Sequence, residues 1–121
     1  MPRLAVAGSV QLMTSSIAPL PLGQSDIRPY RGQVLVRIHT DPDMEEHATL
    51  WNTLGDAQLY FKMLKEPALD LTTEERAVCW VMGIANQCRF KDGRYVPLGI
   101  TFDEALEQHN RSIEIAQQWT T

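Results

Sequence analysis

One nine-residue run constrains the fold of this chain more than any other feature. Residues 77–85 (AVCWVMGIA) contain no charged side chain. They follow Thr72 and Glu75, whose spacing is that of a capping box and predicts a helix from there to about Gln87. A helix that is apolar nearly all the way round does not lie on a surface. We therefore expect this helix to be the central and most buried element of the fold.

The composition is that of an ordinary globular chain. Its 121 residues are enough for one domain, 1–121, and too few for two independent cores. With 44% hydrophobic and 21% charged residues, it is expected to be neither disordered nor membrane-spanning. We expect no secretory signal, because Gly8, Ser9 and Gln11 interrupt the apolar residues near the N-terminus. Cys79 and Cys88 lie too far apart on one predicted helix to form a disulfide, and free thiols indicate a cytoplasmic protein.

Another helix is predicted before the central run. Residues 40–43 (TDPD) supply a capping residue and a proline suited to the first helical turn, and Glu45 and Glu46 favour the positive end of the helix dipole. Pro67 ends this helix. Its apolar stripe consists of Leu50, Leu54, Ala57, Phe61 and Leu64.

A third helix is predicted at the C-terminal end of the sequence. Thr101 and Glu104 form a second capping box, and the apolar spacing continues towards Trp119. The apolar face of this helix consists of Phe102, Leu106, Ile113 and Ala116.

Strand signals occur mainly before residue 40. Residues 3–13 predict a bent strand or a hairpin, and residues 33–39 alternate as a strand does. The segment 15–31 contains three prolines, so we expect an irregular connection there. Further along, Asp92 and Gly93 between aromatic-containing flanks predict a short β-hairpin.

Together these signals predict an α+β fold. Residues 3–39, mainly strand and loop, form a small antiparallel N-terminal sheet. Residues 40–121 are mainly helical, with three helices and a short β-hairpin between the last two. Early strands followed by later helices are typical of this class.

Charge is spread unevenly over the chain. Residues 1–40 hold four arginines and one aspartate, a net charge of +3, whereas residues 41–121 hold seven basic and fourteen acidic residues, a net charge of −7. The overall charge of −4 disfavours general nucleic-acid binding, which is usually the work of strongly basic domains. A local basic patch remains a second alternative.

One loop has the composition of an interaction site. Arg28, Tyr30 and Arg31 place an aromatic ring between two guanidinium groups on a segment stiffened by Pro29. Tyrosine and arginine dominate protein-interface hot spots, so we predict that these three residues bind a partner. The same residues can clamp phosphate if the fold brings the predicted hairpin close. The basic residues of that hairpin are Arg89, Lys91 and Arg94.

Further apolar side chains of the first predicted helix lie beside its main stripe. They are Met44, Trp51, Leu59, Tyr60 and Met63. Either a broad core or another chain covers them. Trp51 and Tyr60 are accordingly further candidates for partner binding.

Residues 39–47 contain the densest set of possible metal ligands. Asp43 and His47 are four residues apart, on one face of the predicted helix, and His39 precedes them at the end of a strand. The alternative interpretation is that the carboxylates only stabilise a helix N-terminus. His109 is a possible base in an enzyme, or a packed side chain of the third helix.

No motif in the sequence is specific enough to indicate a family or a reaction. The function we predict is therefore a non-enzymatic protein-binding domain, an adaptor or inhibitor that needs no cofactor and has a further protein as partner. It is also expected to associate with itself as a homodimer. The alternative is a small-ligand or metal-dependent enzyme that uses His39, Asp41, Asp43 and His47.

Overall fold

The computed structural model describes residues 17–66 and 70–120. Their chain order is β1-β2-β3-α1-α2-β4-β5-α3. The strands are β1 (Ser25–Tyr30), β2 (Gln33–Ile38), β3 (His47–Trp51), β4 (Gln87–Lys91) and β5 (Arg94–Pro97). The helices are α1 (Leu54–Lys65), α2 (Thr73–Ala85) and α3 (Phe102–Thr120).

The strands form one antiparallel sheet in the order of the chain, β1 to β5. Asp26 pairs with Arg37, and Arg37 pairs in turn with Ala48. Helices α1 and α2 connect β3 to β4, so helices interleave with the strands rather than following them. The mixed α+β class is confirmed, with this difference in the order of its elements.

Each face of the sheet has its own core, because neighbouring residues of a strand point to opposite faces. In β2, Val36 contributes to one core and Leu35 to the other. Helix α1 packs on β1, β2 and β3, and α2 packs on α1. The core under these helices contains Val36, Trp51, Ala57, Tyr60, Met63 and Cys79. The core on the opposite face contains Leu35, Ala48, Leu50, Cys88 and Tyr95.

Tyr60 is the centre of the core under the helices. Its side chain is 1% exposed, and its ring centroid lies 5.0 Å from that of Trp51 and 6.1 Å from that of Trp80. A Cβ atom at position 83 would lie 2.4 Å from Tyr60 Cε1, so the glycine there lets the ring approach α2. The close packing of Tyr60 explains why a glycine, Gly83, occurs inside this apolar helix.

On the opposite face the sheet curls until its two edge strands meet. The backbone N–H of Tyr95 in β5 donates to the Tyr30 hydroxyl of β1 at 2.9 Å, and the two rings meet edge to face. Residues before β1 cover this face: Ile17 packs on its core, and Leu20 N–H donates to a Glu46 carboxylate oxygen.

A buried guanidinium group links these parts. Arg37 is 3% exposed and donates to both carboxylate oxygens of Asp26, at 2.9 and 2.5 Å. It also donates to the Ala18 carbonyl oxygen and to the Tyr95 hydroxyl, each at 2.8 Å. That hydroxyl in turn donates to Glu46 at 2.6 Å. Arg37 therefore joins β1, β2, β5 and the segment before β1.

The predicted start of the first helix is wrong. Residues 41–44 form a turn, in which Asp41 accepts from the N–H groups of Asp43 and Met44, and residues 47–51 are β3. These residues pair with both β2 and β4, and such long-range pairing outweighs a local capping signal. Helix α1 begins at Leu54, with Thr53 as its N-cap.

Two other expectations are also corrected. The segment expected to be irregular contains β1, where the edge position tolerates Pro29 because its missing N–H faces no partner strand. Arg31 and Gly32, with φ of 50° and 82°, form the two-residue turn to β2. Moreover, α2 is not the most buried element, since Val78 is 58% exposed. That element is β3, which lies between two strands and two cores.

One further prediction is wrong: the central helix ends at Ala85, so Cys88, expected on the same helix as Cys79, lies in β4. The other local predictions agree with the structure as follows. The strand over 33–39, both capping boxes, the turn at Asp92 and Gly93 and the third helix are confirmed. The strand or hairpin expected over 3–13 lies outside the described residues.

Two glycines of the helices make a matched pair for testing the packing of Tyr60. We expect Gly83→Ala to destabilise the protein by about 1–3 kcal/mol, because the buried ring has no room to move away. At Gly55 an added Cβ meets nothing within 4 Å, so Gly55→Ala is expected to stabilise by roughly 0.5 kcal/mol. Urea unfolding measures both. Equal effects of the two substitutions would contradict the close approach.

Candidate functional site

Helix α3 presents an apolar face that no other described residue covers. The helix has 19 residues, a length of about 28 Å, and packs against α2. Between residues 101 and 119, Ala105 is buried and His109 is half-buried, whereas the other side chains are exposed. Phe102, Leu106 and Ile113, which share one side of the helix by their spacing, are 51%, 40% and 43% exposed. We call these three residues the α3 face.

Acidic residues flank the α3 face. Asp103, Glu107 and Glu114 line one shallow depression together with Leu106. Arg111 also lines it and forms an ion pair with Glu107 at 2.6 Å. The flank therefore keeps a net negative charge. The sequence predicted the helix and its apolar spacing, but the spacing does not reveal whether another element covers the face.

A second concave feature lies between helices α1 and α2, and we call it the α1–α2 groove. Its volume is about 530 Å³. The apolar side chains that line it are Trp51, Leu59, Leu71, Val78, Cys79 and Met82, and the carboxylates are Asp56, Glu74 and Glu75. Glu75 belongs to the capping box, and the hydrogen bonds from Thr72 lower the pKa of its carboxyl.

The predicted arginine site has two exposed cations and a tyrosine that is already engaged. Arg28 and Arg31 are exposed, and Arg31 adopts a positive φ at the tip of the β1–β2 turn. Tyr30 is half-buried, and its hydroxyl accepts from Tyr95 N–H. Because Arg94 directly precedes Tyr95, this bond brings the two hairpin turns towards each other.

The basic residues of the second hairpin divide into two groups. Lys91 and Arg94 are exposed, whereas Arg89 pairs with Glu45 at 3.3 Å. Arg31, Lys91 and Arg94 therefore present exposed positive charge near the two hairpin turns.

The two aromatic candidates for partner binding lie inside the fold. Trp51 is 5% exposed and Tyr60 is 1% exposed. A broad core thus covers them, which is the first of the two alternatives that the sequence left open. Both are needed by the core under α1 and α2, so neither offers a surface of hot-spot size to a partner.

His39 is held between two carbonyl groups. Its Nδ1 lies 2.9 Å from the Leu20 oxygen and its Nε2 lies 2.9 Å from the Met44 oxygen. A carbonyl oxygen only accepts, so both hydrogen bonds form together only when the ring is an imidazolium. These bonds, that of Leu20 first, raise the pKa of His39. Both ring nitrogens are thus engaged with carbonyl groups of this chain, and in the imidazolium form neither has a lone pair for a metal.

The other candidate ligands do not complete a metal site. His47 belongs to β3 rather than a helix, and its Nε2 lies 2.8 Å from the Tyr60 hydroxyl. Asp43 lines the same depression as His47 but lies in the preceding turn. Within residues 17–66 and 70–120, no three His, Cys, Asp or Glu side chains are grouped to hold a metal ion.

The cysteines do not have the character of nucleophiles. Cys79 and Cys88 are free and buried. Burial raises the pKa of both thiols, that of Cys88 to about 12, so the thiolate form that a nucleophile requires is disfavoured. His109 lies on α3, half-buried.

No protein-family model, curated protein sequence or solved structure matches this chain. Among the helices that the structure describes, none has the length and apolar character needed to cross a membrane.

The opposite pKa shifts of His39 and His47 predict that their combined contribution to the free energy of unfolding is largest near pH 6.5, the pKa of an unfolded histidine. His39 has a raised folded pKa, so its contribution is complete below 6.5 and is lost as pH rises through the folded value. Burial lowers the pKa of His47, so its neutral form costs stability as pH falls below 6.5. We expect His39→Gln to flatten the alkaline limb of the unfolding free energy and His47→Gln the acidic limb.

Chemical unfolding at a series of pH values, with a fixed salt concentration, checks this expectation. The wild type and each variant are compared over the same range. An alkaline limb that persists unchanged in His39→Gln would contradict the imidazolium assignment.

Proposed function

We propose that this chain is a protein-binding domain that docks another protein on the α3 face. The observation that carries the proposal is the exposure of Phe102, Leu106 and Ile113 on one side of a long helix. Such a domain acts as an adaptor or an inhibitor and needs no cofactor. Free cysteines fit a reducing compartment, so we place this role in the cytoplasm.

Within the described residues, α3 lacks packing partners for its larger apolar side chains. Most helical stability in proteins comes from packing an apolar face, and α3 buries Ala105 while leaving larger side chains in water. Burying Phe102, Leu106 and Ile113 against a partner would stabilise the complex by about 25 cal/mol for each Å² of apolar surface removed from water. Contiguous exposed apolar surface of this kind marks interaction sites. A partner supplies the missing contacts.

The charge around the α3 face indicates the chemistry of that partner. Asp103, Glu107 and Glu114 lie along one side of the face, next to Leu106, and Arg111 balances one of them. A segment with an apolar stripe and basic flanks is complementary to this surface. A second copy would bring the same carboxylates together, and the chain carries a net charge of −4. Charge therefore favours a different, basic protein over the homodimer.

The experiment uses a designed amphipathic helical peptide of leucine and lysine, with a leucine and glutamate peptide as its charge-reversed control. We expect the basic peptide to bind, and Leu106→Gln combined with Ile113→Gln to weaken its Kd by roughly tenfold or more. Fluorescence anisotropy measures the affinities. Leu22→Gln combined with Leu98→Gln removes two apolar side chains of similar exposure elsewhere and is expected to leave binding unchanged.

Two results would overturn the proposal. One is equal binding of both peptides, or equal loss in the two double variants, which would indicate nonspecific adhesion. The other is a wild-type dimer, detected by analytical ultracentrifugation, that dissociates in the Leu106→Gln and Ile113→Gln variant. That result would assign the α3 face to a second copy of the chain.

A further inference from the structure

We propose that the α1–α2 groove binds a small organic cation with an apolar body, such as an arylalkylammonium ion. The groove is separate from the α3 face and shares no lining residue with it. This inference therefore does not depend on the proposed protein-binding function.

The size and lining of the groove fit a small molecule. Its volume of about 530 Å³ lies within the usual range of small-ligand sites, which is about 300–1,000 Å³. Apolar side chains from both helices and from β3 line it, among them Leu59, Val78 and Met82. Leu59 is 39% exposed and Val78 is 58% exposed, so the walls present apolar surface that a ligand can cover.

Carboxylates supply the polar part of the recognition. Asp56 and Glu74 lie in the first turns of α1 and α2, where they also favour the helix dipoles. The two N-termini thus bring acids from distant parts of the sequence to one groove. Within the part of the chain that the structure describes, no lysine or arginine lines the groove and no residue forms an ion pair with either carboxylate.

Asp56 acts on the interior of the groove. Burial, and to a smaller extent the charge of Asp56, raises the pKa of the Cys79 thiol, which lies among the lining residues. The electrostatic field of the Asp56 carboxylate therefore acts on the residues that line the groove. An anion in the groove would be repelled, whereas a cation would be stabilised.

Trp51 contributes apolar surface to the lining of the groove. Its side chain is 5% exposed, and its indole N–H donates to the Thr49 hydroxyl at 2.7 Å, so the polar atom of the ring is already satisfied. The preference for a cation therefore comes from the carboxylates. An apolar wall and two carboxylates that form no ion pair within the described residues together select an ammonium group on a hydrophobic body.

The test compares three probes of similar shape: phenethylammonium, neutral 3-phenylpropan-1-ol and anionic 3-phenylpropionate. Titration by ¹H–¹⁵N NMR reads the Trp51 indole N–H and the backbone amides of Val78 and Met82. We expect phenethylammonium to shift these signals with an affinity at least about fivefold higher than that of the alcohol. The propionate is expected to leave them unshifted.

Matched charge variants decide whether the carboxylates cause the preference. Asp56→Asn combined with Glu74→Gln is expected to weaken the affinity for phenethylammonium by about fivefold and to leave the affinity for the alcohol unchanged. Asp103→Asn combined with Glu107→Gln removes the same amount of charge from α3. This control is expected to change neither the affinity for phenethylammonium nor the affinity for the alcohol. The NMR spectra also show that each variant is folded.

Each of the following results would overturn the proposal. They are no binding of phenethylammonium, equal affinity for the three probes, equal loss in both double variants, and shifts confined to another part of the fold. If the leucine and lysine peptide shifts the groove signals and the small probes do not, the groove belongs to a protein interface instead. The peptide's binding to the α3 face is read separately, so the two proposals fail independently.

Discussion

The buried guanidinium group of Arg37 is the constraint on which the rest of the structure depends. A charge that is 3% exposed is tolerated only when it is paired and hydrogen-bonded, and Asp26, the Ala18 carbonyl and the Tyr95 hydroxyl meet that requirement. These partners come from β1, β5 and the segment before β1. The bond to Asp26, above all, raises the pKa of Arg37 further, so the group stays charged. Satisfying this one side chain therefore requires the sheet to curl and its covering segment to lie in place.

The two candidate surfaces follow from this arrangement. Tyr95 fixes β5, and β5 leads directly into α3, so the position of the uncovered helix depends on the same hydrogen bonds. On the other face, the close fit of Tyr60 to Gly83 sets how α1 and α2 meet, and the α1–α2 groove lies between them. Both surfaces combine exposed apolar side chains with carboxylates. That shared character explains why we propose cationic partners for both, a basic protein segment for one and a small organic cation for the other.

Local signals in the sequence predicted the local parts of the fold. The alternation in β2, the two capping boxes and the Asp92 turn depend on neighbouring residues, and each is present. The helix start at Thr40 was wrong because β3 is decided by pairing with β2 and β4, which lie far away in the sequence. The α1–α2 groove escaped prediction for the same reason, since the residues that line it come from β3 and two helices. The apolar stripe of α3 was visible, but only the tertiary structure reveals that nothing in the described chain covers it.

A double-mutant cycle between Asp26 and Arg37 tests the central claim most directly. Asp26→Asn leaves the buried cation without its counter-charge, so the account predicts a loss of about 3 kcal/mol in the free energy of unfolding. Arg37→Met combined with Asp26→Asn removes the cation as well and is predicted to recover a substantial part of that loss. Urea unfolding of the four proteins gives the coupling free energy. A loss below about 1 kcal/mol for Asp26→Asn, with additive effects in the double variant, would contradict the claim that the fold is organised around Arg37.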